Sequence, residues 1–356
     1  EHLSAEVKIE DFLQDDAYAP LPTIVQAARD LFHGRKLPFI KRARAATEPA
    51  IDTVSKISHH AARTKSRHLV LVSGVPGAGK TLVGLQVVHA GWLDDLTVER
   101  ADCNKGSAAV YLSGNGPLVA VLQDALKGGD MPGSMFVQDI KKYVSYYSKN
   151  NRTPPEHVIV FDEAQRAWSK YQTIKFMREK KNQPDFDMSE PEFLISCMDR
   201  HQNWATIVCL VGGGQEINTG EAGIGEWFEA VENSFPHWNI YLSDRLIDSE
   251  YGAGEVLNRA KNNKKVKFVS NLHLQTSVRS FRSEKVSLFV KQLLDLEIDK
   301  ARENLETIQE NYPIVLTRDL EKAKKWVRHQ ARGSERYGMV ASSQACLLYT
   351  SPSPRD

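Results

Sequence analysis

Cysteine is scarce in this chain: Cys103, Cys197, Cys209 and Cys346 are the four present, scattered and with no CxxC pair. That usage argues against a zinc ribbon or a disulfide framework and fits reduced thiols in a cytosolic protein, so a cytoplasmic setting is expected. Long apolar runs are missing too. No stretch reaches the roughly 18 residues that a membrane-spanning helix needs, and no membrane partner is expected. Neither sign of charge dominates: 46 Lys plus Arg face 45 Asp plus Glu, a formal net charge of +1. The field of the whole chain is therefore weak, and contact with nucleic acid has to rest on local patches. No secretory leader and no initiator methionine opens the sequence, so a fragment is expected.

What is present is alternation. At 356 residues the chain is long enough for two domains with cores of their own. Residues 1–66 read as a mainly helical N-terminal extension, where Ile24, Val25, Ala28 and Leu31 fall near one face of a helix. The basic residues that follow, Arg35, Lys36, Lys41, Arg42 and Arg44, suit a solvated surface or a nucleic-acid contact. From 67 to 245, apolar runs alternate with helical segments. The runs are HLVLVSG (68–74), AAVYLSG (108–114), HVIVFDE (157–163), ATIVCLVGG (205–213) and WNIYLS (238–243). They are nearly continuous in hydrophobicity and end in glycine or polar residues, as strands buried on both faces of a parallel sheet do. The expectation is a doubly wound α/β lobe. Residues 246–345 read as the start of a second lobe, with strands at 311–317 and 337–343 around a helix at 318–332; three elements leave it incomplete. Residues 346–356 break the pattern and are expected to be a non-native scar or a disordered tail.

Directly after the first strand comes SGVPGAGKT, residues 73–81. Gly74 to Thr81 fits GxxxxGK[ST] at every fixed position, between a strand and a helix. Glycines let the backbone wrap so that successive N–H groups face phosphate oxygens, and the helix N-terminus favours an anion. The loop and first turn (Gly74, Val75, Pro76, Gly77, Ala78, Gly79, Lys80, Thr81 and Leu82) are expected to hold a nucleotide. Lys80 would reach the β- and γ-phosphates, and the Thr81 hydroxyl would ligate Mg²⁺. A second apolar run ends in DEAQ, 162–165. Asp162 is expected to hold Mg²⁺, and Glu163 to orient and deprotonate the attacking water. No guanine-reading NKxD or TKxD element is present; NKGS at 104–107 lacks the acid. ATP is therefore expected in place of GTP. A D…(D/E)xK nuclease core is also lacking, and DEAQ argues against a metabolite kinase.

DEAQ after its strand resembles motif II of superfamily 1 helicases, LVGGGQEI (210–217) resembles motif III, and LQTSVRS (274–280) is similar to motif IV. The resemblance implies that Gln215 reads the γ-phosphate and that Arg279 is placed against it by the second lobe. The motif III run has Gly212-Gly213-Gly214-Gln215, without the usual Asp and one residue shorter, and motifs V and VI are not found before residue 356. The set SGVPGAGKT, YLSGNGPLV, VIVFDEAQRAW, LVGGGQEINTGEAG and the EW at 226–227 together resemble the Schlafen-like DNA/RNA helicase or ATPase proteins, a mainly prokaryotic family. Over roughly residues 15–345 this implies two RecA-like lobes, the second partial, with ATP in the cleft between them.

The resemblance points to an ATP-hydrolysing nucleic-acid motor, a DNA or RNA helicase or translocase. The altered motif III leaves a second reading, an ATP switch that gates a partner protein without unwinding. SGNGPLV (113–119) lies where motif Ia touches nucleic acid, and Ser113, Gly114 and Asn115 suit either phosphate contacts or a plain turn. Trp168 and Trp227 suit base stacking or the core. The lysines at 261, 264, 265 and 267 suit phosphates or solvent, and Arg245 is a second cation for the nucleotide cleft.

Overall fold

The computed structural model describes residues 41–75, 77–89, 91–96, 108–126, 136–212, 221, 223–247, 263–275, 284–309, 312–331 and 337–338. The chain divides into two compact units, residues 1–284 and 285–356.

Among its described residues the first unit holds a single eight-stranded sheet with helices on both faces. Helix α1 (Lys41–Thr64) leads into β1 (Arg67–Gly74), α2 (Lys80–His89), β2 (Ala109–Ser113), α3 (Gly116–Ala125), β3 (Val137–Asp139) and α4 (Ile140–Tyr147). Then come β4 (Val158–Phe161), α5 (Lys170–Lys181), α6 (Glu190–Asp199), β5 (Ala205–Gly212), α7 (Gly225–Asn233), β6 (Asn239–Leu242), β7 (Val266–Phe268) and β8 (His273–Leu274). Across the sheet the order is β3-β2-β4-β5-β1-β6-β7, and every pairing is parallel. Parallel strands need crossovers, which the helices supply, so both faces are covered.

The period of two sorts the side chains. Leu69, Leu71, Val110, Ile159, Phe161 and Cys209 point to one core layer, where Tyr143, Met177, Phe193, Trp227 and Phe228 from α4 to α7 meet them. Val70, Val72, Tyr111, Val160 and Leu210 point to the other, against Ile51, Val54, Val83, Val87 and Leu122 from α1, α2 and α3. Helix α1 lays the stripe Ala50, Ile51, Val54, Ile57 and Ala61 on the second layer, so residues 47–64 are part of this core. Trp227 is fully buried and belongs to the first layer, so it offers no face for stacking a base.

The sheet runs past the boundary expected at 245. β7 adds to β6, and β8 pairs with the far end of β1, Ser73 opposite His273 and Gly74 opposite Leu274. One edge of β1 is thereby shared: residues 68–70 pair with β6, residues 73–74 with β8.

The second unit contains α8 (Glu284–Leu294), α9 (Ile298–Ile308) and α10 (Leu320–Gln330). Phe289, Ala301 and Ile308 form a small core with Val286 and Leu305 beside it. The strand expected at 311–317 is not formed over residues 312–317, where Ile314, Val315 and Leu316 are 45%, 57% and 98% exposed. An apolar β-branched run becomes a strand only when a neighbour pairs its backbone, and among the described residues no strand lies beside it. Of the strand expected at 337–343, residues 337–338 are described and are irregular; the remainder and residues 346–356 lie outside the described residues.

Candidate nucleotide and metal site

The site stands at the carboxyl edge of the sheet, where β1 and β4 end. Their order explains the geometry. β5 separates them, and with adjacent strands about 4.8 Å apart β4 runs about 10 Å from β1 across the sheet.

On the β1 side the loop turns through Gly77 at φ +75° and Gly79 at φ +91°, conformations that side-chain-bearing residues rarely adopt. Ala78 N–H donates to Val75 O at 3.1 Å, and Val83 N–H to Gly79 O at 2.9 Å, closing the turn into α2. The Lys80 Nζ donates to Gly74 O at 2.7 Å and Val75 O at 3.1 Å, so its charge is held over the loop. β8 braces the same loop: Val75 N–H donates to Leu274 O at 3.2 Å, and the Ser73 hydroxyl pairs with His273 Nδ1 at 2.9 Å. A Cβ on Gly74 would stand 2.8 Å from Leu274 Cβ, so only glycine lets β8 approach there. Pro76 lies outside the described residues; Thr81 and Leu82 are half-buried in the first turn of α2.

On the β4 side Asp162 is buried, and its N–H donates to Leu112 O at 2.9 Å. Burial pushes its carboxyl up to about 6 and the Glu163 charge pushes the same way, while the Tyr111 hydroxyl, the Glu163 N–H and the Lys80 charge oppose. The Tyr111 hydroxyl donates to Asp162 Oδ2.

Glu163 is in the left-handed region at φ +54°, ψ +47°. A non-glycine residue there is strained by about 1–3 kcal/mol and needs its surroundings to hold it. Gln165 does so: its Nε2 donates to Glu163 Oε2, and its Oε1 accepts from Gly212 N–H at 3.0 Å. Trp227 Nε1 donates to Ala164 O at 3.0 Å and fastens the same turn from below.

Mg²⁺ suits this donor set. A hydroxyl and a carboxylate are hard oxygen ligands, and Mg²⁺ characteristically takes one or two protein oxygens together with waters and phosphates. The described residues hold no cluster of three or more His, Cys, Asp or Glu able to cage a metal.

Gln215 and Arg279 lie outside the described residues, as do Gly213, Gly214 and Lys261. Arg245 is exposed in the turn after β6, at the same edge of the sheet as the loop. Ser113 Oγ accepts from Asn115 N–H at 3.2 Å, and Asn115 Oδ1 caps α3 by accepting from Leu118 N–H at 3.2 Å; both side chains serve the turn. Trp168 is half-buried, edge-on to Phe176, with the Lys141 ammonium 4.7 Å from its ring centre. Lys265 donates to Pro236 O, and Lys267 lies 5.2 Å over the Tyr241 ring. Sequence reasoning missed Tyr111 and the bracing role of β8. Tyr111 left one signal, an aromatic hydroxyl in the otherwise aliphatic run AAVYL.

A glycine loop between β1 and α2, with acids at the end of a strand one removed in a parallel sheet, defines an α/β P-loop fold of RecA-like strand order. The chain belongs to a family within that class: the family model for Schlafen group 3, DNA/RNA helicase domain, matches residues 67–355. Among solved structures it is similar to the crystal structure of the Pyrococcus furiosus Hef helicase domain, at 15% identity and a TM-score of 0.30 over 59% of this chain. The match covers 40% of the length of that structure. Comparison with curated proteins gives no match. No helix among the described residues is long and apolar enough to cross a membrane.

Proposed function

We propose that the chain binds and hydrolyses ATP as part of a nucleic-acid-dependent motor of superfamily 1 helicase type, working in the cytoplasm. The observation that supports this reading is a glycine loop carrying Lys80 and Thr81 after β1 and the pair Asp162 and Glu163 after β4, both at the carboxyl edge of one parallel sheet. The amides of Gly77 to Thr81 bind the phosphates, aided by the N-terminus of α2. Lys80 exchanges the carbonyls of Gly74 and Val75 for phosphate oxygens. Thr81 and Asp162 would hold Mg²⁺, which when bound draws charge from the β- and γ-phosphate oxygens. Glu163, fixed by Gln165, orients the attacking water and takes its proton.

Gln215 and Arg279 are assigned to the γ-phosphate. Arg279 lies five residues after Leu274, whose carbonyl bonds to the loop at Val75, so the intervening chain spans at most about 18 Å. DNA or RNA is the proposed partner, in keeping with the family.

The unusual Gly212-Gly213-Gly214-Gln215 run favours a second reading, an ATP switch gating a protein partner. One experiment separates them: ATP hydrolysis with and without single- and double-stranded DNA and RNA, using the protein, Lys80→Ala and Glu163→Gln. The motor reading expects stimulation by nucleic acid that both substitutions abolish. ATP binding with no stimulation by any of the four would overturn the motor and leave the switch.

A further inference from the structure

We propose that the outward face of α5, carrying Tyr171, Lys175 and Arg178, is a docking surface for single-stranded nucleic acid. The inference rests on the motor reading above and adds to it the place where the strand lies.

Helix α5 follows the DEAQ turn closely and starts from its N-cap at Ser169. Thr173 and Met177 are its buried residues, and Phe176 packs beside them on the first core layer. At about 100° per residue, the opposite side of the helix carries Tyr171, Lys175 and Arg178, spaced i, i+4, i+7. All three are exposed.

The helix holds five bases and one acid, Glu179. Charge number alone does not call for a ligand, since Arg178, Lys180 and Lys181 lie in the last turn, where cations suit the helix dipole. Their partners set the cations apart. Lys170 is bound to Asp187 at 2.9 Å, and Lys181 covers the Phe176 ring at 5.5 Å. Among the described residues, no ion pair holds Lys175 or Arg178. Tyr171 is 73% exposed, and no hydrogen bond or ring contact holds it among the described residues. The neighbouring ring, Trp168, is edge-on to Phe176 and has the Lys141 ammonium 4.7 Å from its centre, so Tyr171 is the ring on offer.

The chemistry of this face fits one ligand. Lys and Arg neutralise phosphates, and an aromatic ring stacks on any base. From Tyr171 to Arg178 the helix rises about 10 Å, the rise of about three stacked nucleotides. A duplex would satisfy the cations but keeps its base faces stacked on one another, so the ring selects a single strand. An acidic polypeptide would satisfy the cations and leave the ring without a planar partner.

The test is binding of a fluorescein-labelled oligothymidylate to the whole chain across a salt titration. The variants are Lys175→Gln with Arg178→Gln, Tyr171→Ala, Tyr171→Phe and Lys180→Gln. The double substitution is expected to reduce the slope of log K against log salt by about 1.4, the loss of two phosphate contacts to a single strand. Tyr171→Ala should leave that slope unchanged and weaken binding about 10-fold, while Tyr171→Phe, which keeps the ring, stays within about twofold. Lys180→Gln, on the far side of the helix, should leave the slope unchanged, and ATP hydrolysis without nucleic acid should be the same in all four. An unchanged slope in the double variant overturns the inference, as does an equal fall in Lys180→Gln, which would reveal a diffuse field. Unweakened binding by Tyr171→Ala also overturns it and leaves a surface that an acidic polypeptide fits as well. If the variants bind normally while nucleic acid still stimulates ATP hydrolysis, this inference alone falls. If the unsubstituted chain binds no oligonucleotide and its hydrolysis is not stimulated, the motor reading falls with it.

Discussion

Gln165 holds Glu163 with one end of its amide and the N–H of Gly212 with the other. The residue expected to position water is therefore tied directly to the end of β5, where the motif III loop begins. Because Glu163 sits in a strained conformation, removing the tie should let it relax away. Gln165→Ala is expected to slow single-turnover hydrolysis about 100-fold, the effect of misplacing a reacting group by roughly 1 Å. Nucleotide affinity should stay within about twofold, since the loop at 74–81 is untouched. An equal loss in both would mean that Gln165 supports the fold of the site and not the placement of Glu163.

Gly84 sets how closely α2 lies on the sheet. A Cβ there would stand 2.7 Å from Leu210 Cδ1, 2.8 Å from Tyr111 Cε2 and 3.0 Å from Val160 Cγ1. Alanine gains about 1 kcal/mol in helix propensity over glycine, but overpacking a filled core costs about 1–3 kcal/mol. Gly84→Ala should therefore be neutral to destabilising by about 2 kcal/mol, and Gly84→Val clearly worse, in denaturant unfolding. A rise in stability for the valine variant would show that α2 shifts freely and does not clamp Tyr111.

Much of the first unit could be read from sequence because its signals are local. Each strand from β1 to β6, apart from the three-residue β3, is a continuous apolar run, and the loop and DEAQ carry their chemistry in fixed spacings. What was not legible depends on contacts distant in sequence. β8 is two residues long and is defined by its pairing with Ser73 and Gly74, about 200 residues earlier. Tyr111 acquires its role only when β2 is laid beside β4. The run at 312–317 misled for the converse reason: strand-like composition is realised only where a neighbouring strand supplies partners.

Trp227 and Ala164 lie 63 positions apart, joined by the indole N–H. Trp227→Phe keeps most of the buried ring but removes that donor and leaves a small void. The combined effect should be about 1–3 kcal/mol of stability, read by thermal unfolding. Hydrolysis at a temperature well below the melt should change less than it does for Gln165→Ala, because Trp227 holds the backbone of the turn and does not touch Glu163.

Glu190 begins α6, wholly buried, and its Oε2 accepts from Trp168 N–H at 3.0 Å. Burial pushes its carboxyl up to about 7; the Trp168 hydrogen bond and Lys141 oppose, and Asp139 adds to the rise. Asp139, at the end of β3, and Lys141, in α4, are the charged groups that act on it, so the prediction includes them. A carboxyl whose folded-state value is raised binds its proton more tightly when folded. The stability it lends is complete below about pH 4.5 and gone once the pH passes about 7. The difference corresponds to about 3 kcal/mol as an upper bound. Glu190→Gln retains a carbonyl to accept from Trp168 and removes the titration. It is expected to raise the melting temperature at pH 8 and to flatten the decline in stability between pH 5 and 7. A variant that melts lower than the unsubstituted chain at pH 8 would show that the charged carboxylate, paired with Lys141, is the favoured form, reversing the sign of this argument.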